Sequence, residues 1–165
     1  GIGEGFGFPV RYKVEISDDP AFKKGVVIIE DRTKADVPNP GVKPQSIAAG
    51  AKKARYVRVT AIKLALRQND YIFALAELSV LVPGGGNAAR GVKVTSLDSI
   101  QAPIRWQRKN LVDGYYYGRT KAEGERRARA AHPDLSADLF DPVHQMGAAP
   151  DEARAFAARV ASLAS

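Results

Sequence analysis

Residues 10–17 alternate without a break, with Val10, Tyr12, Val14 and Ile16 on one side and Arg11, Lys13, Glu15 and Ser17 on the other. A period of two built from β-branched and aromatic residues predicts a half-buried strand. "SDDP" then turns the chain, and "GVVIIED" reads as a second, shorter strand. Residues 33–45, "TKADVPNPGVKPQ", carry too much Pro and Asn for regular structure. "ARYVRVTAIKL" predicts the next strand, with Val57 and Val59 inward and Arg58 and Thr60 outward. A polar interruption, "RQNDY", separates it from "IFALAELSVLV", which is apolar enough for a central strand and ends at "PGGGN". "GVKVTSLDS" alternates again, and residues 92–97 are expected to pair with a strand from residues 8–81, because an exposed alternating strand invites aggregation. Short strands divided by turn clusters predict a mainly β sandwich or barrel. Its core is expected to hold Tyr12, Val14, Ile16, Val57, Val59, Leu78 and Val80 between two mainly antiparallel sheets.

After Gly118 the pattern changes. Residues 119–165 are rich in Ala and Arg and predict a helical or partly disordered tail. "RTKAEGERRARAA" reads as a polar helix, and "PDEARAFAARVASLA" as an amphipathic one with an apolar stripe of Ala153, Phe156, Ala157, Val160 and Leu163. His132-Pro133-Asp134 resembles the inter-helix tripeptide of co-chaperone J-domains, yet "YYYG" stands where such a domain needs its first helix, and Pro133 is equally a helix stop.

Composition narrows the function classes. The 165 residues suffice for one domain with a core plus a short appendage, and no apolar run is long enough to span a bilayer, so membrane insertion is not expected. There is no cysteine, which removes disulfides, thiolate nucleophiles and cysteine zinc sites. The chain begins at Gly1 and reads as cut from something longer. A net charge of +7 gathers at Lys52, Lys53, Arg55 and Arg58 and again over residues 119–129. The first cluster interleaves a single aromatic, Tyr56, and the second none, short of the repeated platforms that stack bases, so a nucleic-acid partner is not expected.

The opening glycines, Gly1, Gly3, Gly5 and Gly7, do not make a dinucleotide fingerprint: the third glycine position falls on Phe6 or Phe8, and a strand follows where a helix is required. Tight turns or a close backbone approach explain them better. The two histidines, His132 and His144, have no zinc spacing, and no serine sits in a nucleophile elbow. The chain is not expected to be an enzyme.

"GFPVRYKVEISDDPAF", "ARYVRVTAIKL" and "YIFALAELSVL", in that order, resemble the middle and end of a discoidin domain of the coagulation factor 5/8 C-terminal type, in the galactose-binding-like superfamily. "NAARGVKVTSLDSIQAPIRWQRKNLVDGYY" resembles the opening of such a domain, so the usual opening follows the usual ending. Residues 1–118 then form a discoidin-like unit and 119–165 a tail; the alternative is a cut across tandem modules, 8–82 ending one and 87–118 starting another. The resemblance implies a jelly-roll β-sandwich from a large exported bacterial protein, placed outside the cell, in the periplasm or at the cell surface. It implies a non-catalytic carbohydrate-binding module that takes a glycan or polysaccharide through loops at one end. A structural or interaction segment that positions neighbouring domains is the alternative. No cofactor is required, and a structural calcium is implied at Glu77 and Asp113, the latter beside Gly114. Without a metal, Asp113 caps the Asp-Gly turn and Glu77 pairs with a basic neighbour.

For sugar binding, polar groups that bond hydroxyls beside an aromatic face are the useful mixture. Arg67, Gln68, Asn69, Asp70 and Tyr71 concentrate it in one inter-strand loop, with Arg67 and Asn69 expected to donate to hydroxyls and Tyr71 to offer a ring. Arg105 and Trp106 are second candidates, as is the Tyr run at 115–117. Trp106 reads equally as a core plug and the "RQNDY" stretch as an ordinary polar loop.

Overall fold

The computed structural model describes residues 5–83 and 86–115 and, further on, two strands at Met146–Ala148 and Arg154–Arg159. Strands in antiparallel sheets dominate, and the described residues include almost no helix. In chain order the strands are β1 (Arg11–Ser17), β2 (Val27–Arg32), β3 (Tyr56–Lys63), β4 (Ala65–Arg67), β5 (Asp70–Phe73), β6 (Val94–Ser96), β7 (Met146–Ala148) and β8 (Arg154–Arg159). Two short 3-10 turns, Ile104–Trp106 and Arg108–Val112, follow β6. One sheet has five strands in the order β2-β1-β3-β8-β6, the other three in the order β4-β5-β7.

The alternation of β1 and β3 becomes packing. Their register sets Val14 opposite Val59 and Ile16 opposite Val57, and all four are buried with Tyr12 and Ala61. Leu64, Phe73, Ala89, Val94, Leu111 and Val112 complete the same core cluster. Leu78 and Val80 pack on it but are only half-buried.

The outward face of β1 and β3 is less open than the alternation implies. Glu15 is 3% exposed and accepts hydrogen bonds from Lys13 Nζ at 2.8 Å and Arg58 Nε at 2.9 Å. The Arg58 guanidinium in turn lies 4.2 Å from the ring centre of buried Phe22. The loop after β1 delivers that ring: the Asp19 carboxylate accepts from the backbone N–H groups of Ala21, Lys23 and Lys24, and Phe22 adopts a left-handed φ of 51°. These backbone hydrogen bonds hold the Asp19 carboxyl below its usual range.

Three expectations are corrected. The stretch read as a central strand stops at Phe73, because beyond it the backbone finds loop partners: Leu78 N donates to Leu111 O at 2.6 Å and Val80 N to the side chain of Asn87 at 2.9 Å. The alternating segment at 92–97 contributes only β6, and its partner is β8, through which it joins the β1–β3 sheet, rather than a strand of residues 8–81. Residues 154–159, read as part of an amphipathic helix, are strand β8, in register with β3 from Tyr56↔Arg159 to Ala61↔Arg154. An Ala-rich segment favours helix over strand by only tenths of a kcal/mol per residue, about the worth of one ladder bond, so an open strand edge overrides it. The remainder of the tail, including the polar-helix reading and His132-Pro133-Asp134, lies outside the described residues.

Candidate functional site

β4 and β5 form a two-residue hairpin, with Arg67 paired to Asp70, Leu66 to Tyr71 and Ala65 to Ile72. β7 continues the sheet on the far side of β5, so the hairpin tip rests on a three-stranded base. Gln68 and Asn69 occupy the tip and are exposed, and Gln68 has a φ of 48°. Arg67 Nε donates to Asp70 Oδ1 at 2.8 Å, and Arg67 Nη2 donates to the other carboxylate oxygen. These bonds hold the Asp70 carboxyl below its usual range and push the Arg67 guanidinium up. Arg67 therefore braces the hairpin, and two of its donors are committed within the chain.

Tyr71 is half-buried and packs on the core cluster, so its ring is a supporting surface more than an open platform. Trp106 is half-buried as well, in the 3-10 turn at Ile104–Trp106, where its N–H of the backbone donates to Pro103 O at 2.9 Å. The Arg105 side chain lies outside the described residues, as do Tyr116 and Tyr117; Tyr115 is 39% exposed.

Glu77 and Asp113 meet. The Leu78–Leu111 backbone bond aligns the stretch after β5 with the second 3-10 turn, and Gly114 N donates to Glu77 Oε1 at 3.1 Å. Glu77 Oε2 is buried without a hydrogen-bond partner. Asp113 Oδ1 also accepts from Tyr115 N at 2.9 Å, which is the Asx-turn role expected of an Asp-Gly pair. Arg90 lies against Gly114, its Nε 3.2 Å from where a Cβ would stand. Burial first, and then the negative charge of Asp113, push the Glu77 carboxyl up to about 8, while the Gly114 N–H and Arg90 oppose the shift.

A hard cation is tested by this donor set. Two carboxylates and one unpartnered buried oxygen are the right kind of ligand, but calcium takes about six to eight oxygens. Among the described residues no group of three or more acidic, His or Cys side chains could hold a metal. The two carboxylates are hard donors of the right chemistry, but by themselves they supply too few oxygens to make up such a shell.

A pH dependence follows from the raised Glu77 pKa. The folded chain holds a proton that the unfolded chain releases near the ordinary value of 4.5. That contribution is fully present below 4.5 and is lost as pH rises towards about 8. In metal-free buffer, denaturant midpoints should fall across this window, by at most about 1.4 kcal/mol per pH unit for one proton. Glu77→Gln should flatten the profile; a wild-type midpoint that is level or rises over the same window contradicts the assignment.

The sequence did not reveal the Glu15–Arg58–Phe22 stack. Its signal was a charge in an alternating strand opposite an arginine in another, which acquires meaning only once β1 and β3 are known to pair. Among the described residues no helix is long and apolar enough to cross a membrane. No family model, no curated protein and no solved structure matches this chain.

Proposed function

We propose that the chain is a non-catalytic, discoidin-like carbohydrate-binding module of an exported protein, with its two sheets arranged as a jelly-roll sandwich. The observation that carries this reading is the hairpin tip. Gln68 and Asn69 stand exposed on a turn braced by the Arg67–Asp70 pair and seated on a three-stranded sheet. A primary amide offers two donors and an acceptor, which suits neighbouring sugar hydroxyls, and a braced turn loses little entropy when it engages them. Asp70 accepts from a hydroxyl where Arg67 leaves a lone pair, and Tyr71 supports the tip from below.

Such a shallow site binds weakly, with dissociation constants of roughly 100 µM to a few mM, because its hydrogen bonds replace bonds to water. A glycan array on the intact chain tests the reading. Gln68→Ala/Asn69→Ala should abolish array signal and leave the unfolding midpoint within about 0.5 kcal/mol of wild type, as expected for exposed positions. An array that is blank for the wild-type chain defeats the proposal.

Calcium between Glu77 and Asp113 belongs to the same proposal as a structural ion. Binding it requires Glu77 to release its proton, so calcium should raise the thermal midpoint more at pH 8 than at pH 5. No calcium-dependent shift at pH 8 removes the ion from the account. The alternative function, a segment that positions neighbouring domains, draws support from the exposure of Leu81 at 78% and Leu97 at 76%, apolar surface of the kind that docking covers.

A further inference from the structure

The basic cluster at Lys52, Lys53, Arg55 and Arg58 divides into two kinds of residue. Arg58 is spent on Glu15, and Arg55 on Asp18: its backbone N–H donates to Asp18 Oδ1 at 3.0 Å and its Nη2 to Asp18 O at 2.6 Å. Among the described residues neither Lys52 nor Lys53 takes part in an ion pair, and both are exposed. They stand at a cavity of about 310 Å³ between the end of β1, the start of β2 and the approach to β3. Its apolar wall is Ile16, Val27 and Ala54, and Ser17 and Asp18 add polar groups.

The wall is built and held. Ser17 Oγ donates to Lys24 O at 2.8 Å and accepts from Asp19 N at 2.9 Å, which fixes the turn behind the cavity, and Arg55 fixes Asp18 from the other side. We propose that this cavity is a second binding site, separate from the hairpin tip, that takes a small sugar acid. The volume suits one pyranose ring and sits at the lower end of ligand pockets, roughly 300 Å³. A ring's C–H face fits the Ile16–Val27–Ala54 wall, its carboxylate meets the two ammonium groups, and Asp18 accepts from a hydroxyl. Asp18 disfavours a bare dianion, and its charge is offset by Arg55.

The test uses the full 165-residue chain, isotopically labelled and titrated in low salt with D-glucuronate, D-glucose and sodium sulfate. Glucuronate should saturate with amide shifts confined to residues 16–18, 25–27 and 52–54, at least about tenfold tighter than glucose, and weaken about tenfold when salt is raised past the screening range. Lys52→Ala/Lys53→Ala should lose about tenfold in glucuronate affinity while Gln68→Ala/Asn69→Ala loses none, which separates this site from the hairpin. Glucose binding as tightly as glucuronate, sulfate binding as tightly as glucuronate, shifts mapping elsewhere, or no saturation at all each overturns the proposal. The glucuronate-to-glucose comparison in the wild-type chain decides the matter even if the lysine variant does not fold.

Discussion

Gly7→Ala destabilises this protein by about 2–5 kcal/mol, the sum of a left-handed backbone penalty and an overpacked contact. Gly7 sits at φ +75°, where an L side chain is strained, and a Cβ there would stand 2.7 Å from Ala74 Cβ and 3.0 Å from Ala74 N. Neither neighbour can retreat easily, because Ala74 is buried and its N–H donates to Gly7 O at 2.8 Å. The contact joins the approach to β1 with the end of β5, so yielding there separates the two sheets at one corner. Gly25→Ala is the matched control: its φ is +57°, but nothing lies within 4 Å of the added methyl. It should cost only the backbone share, about 1–2 kcal/mol. Urea denaturation of both variants checks the account, and equal losses would mean that the Gly7–Ala74 approach contributes nothing.

Glu15→Ala is the second large loss, about 2–4 kcal/mol, somewhat below the range for a fully buried pair because the Lys13 and Arg58 side chains are 28% and 23% exposed. Removing the carboxylate leaves two cations, Lys13 on β1 and Arg58 on β3, without their shared partner, with Arg58 held against the Phe22 ring. Burial pushes the Glu15 carboxyl up, but the hydrogen bonds from Lys13 and Arg58 outweigh it and hold the group below its ordinary 4.5. The stabilisation is therefore complete above that value and is lost as pH falls through the lowered folded value. The gap between wild type and Glu15→Gln should be widest at neutral pH and close on acidification, opposite in direction to the Glu77 effect. Replacing Glu15 and Arg58 together, Glu15→Met with Arg58→Leu, should cost less than Glu15→Ala alone, since only the partly exposed Lys13 is then left without its partner.

What the sequence discloses and what it hides divide along physical lines. β1 and β3 were legible because each carries its own burial pattern: Val14, Ile16, Val57 and Val59 point inward on a period of two whatever their partner. The opening glycines were read as tight turns or a close backbone approach, and Gly7 makes such an approach against Ala74. β8 was not, because its strand state comes from the edge of β3 and not from its Ala-rich composition. The half-buried state of Tyr71 and the commitment of Arg67 to Asp70 were hidden for a related reason: a hairpin register decides both, and "RQNDY" alone fixes no register. Glu77 and Asp113 were named in the sequence only as calcium positions that a resemblance implied. The geometry of their meeting, with Gly114 N on Glu77 Oε1 and Oε2 left unpartnered, needed the fold.

The central claim is that the exposed tip of the β4–β5 hairpin binds sugar, and one titration addresses it directly. The isotopically labelled chain is titrated with the saccharide that gives the strongest array signal, and backbone amide shifts are followed residue by residue. The account predicts saturable shifts centred on residues 67–71, with a dissociation constant between roughly 100 µM and a few mM, and their loss in Gln68→Ala/Asn69→Ala. Saturable shifts that avoid the hairpin, or no saturable shift with that saccharide, contradict it.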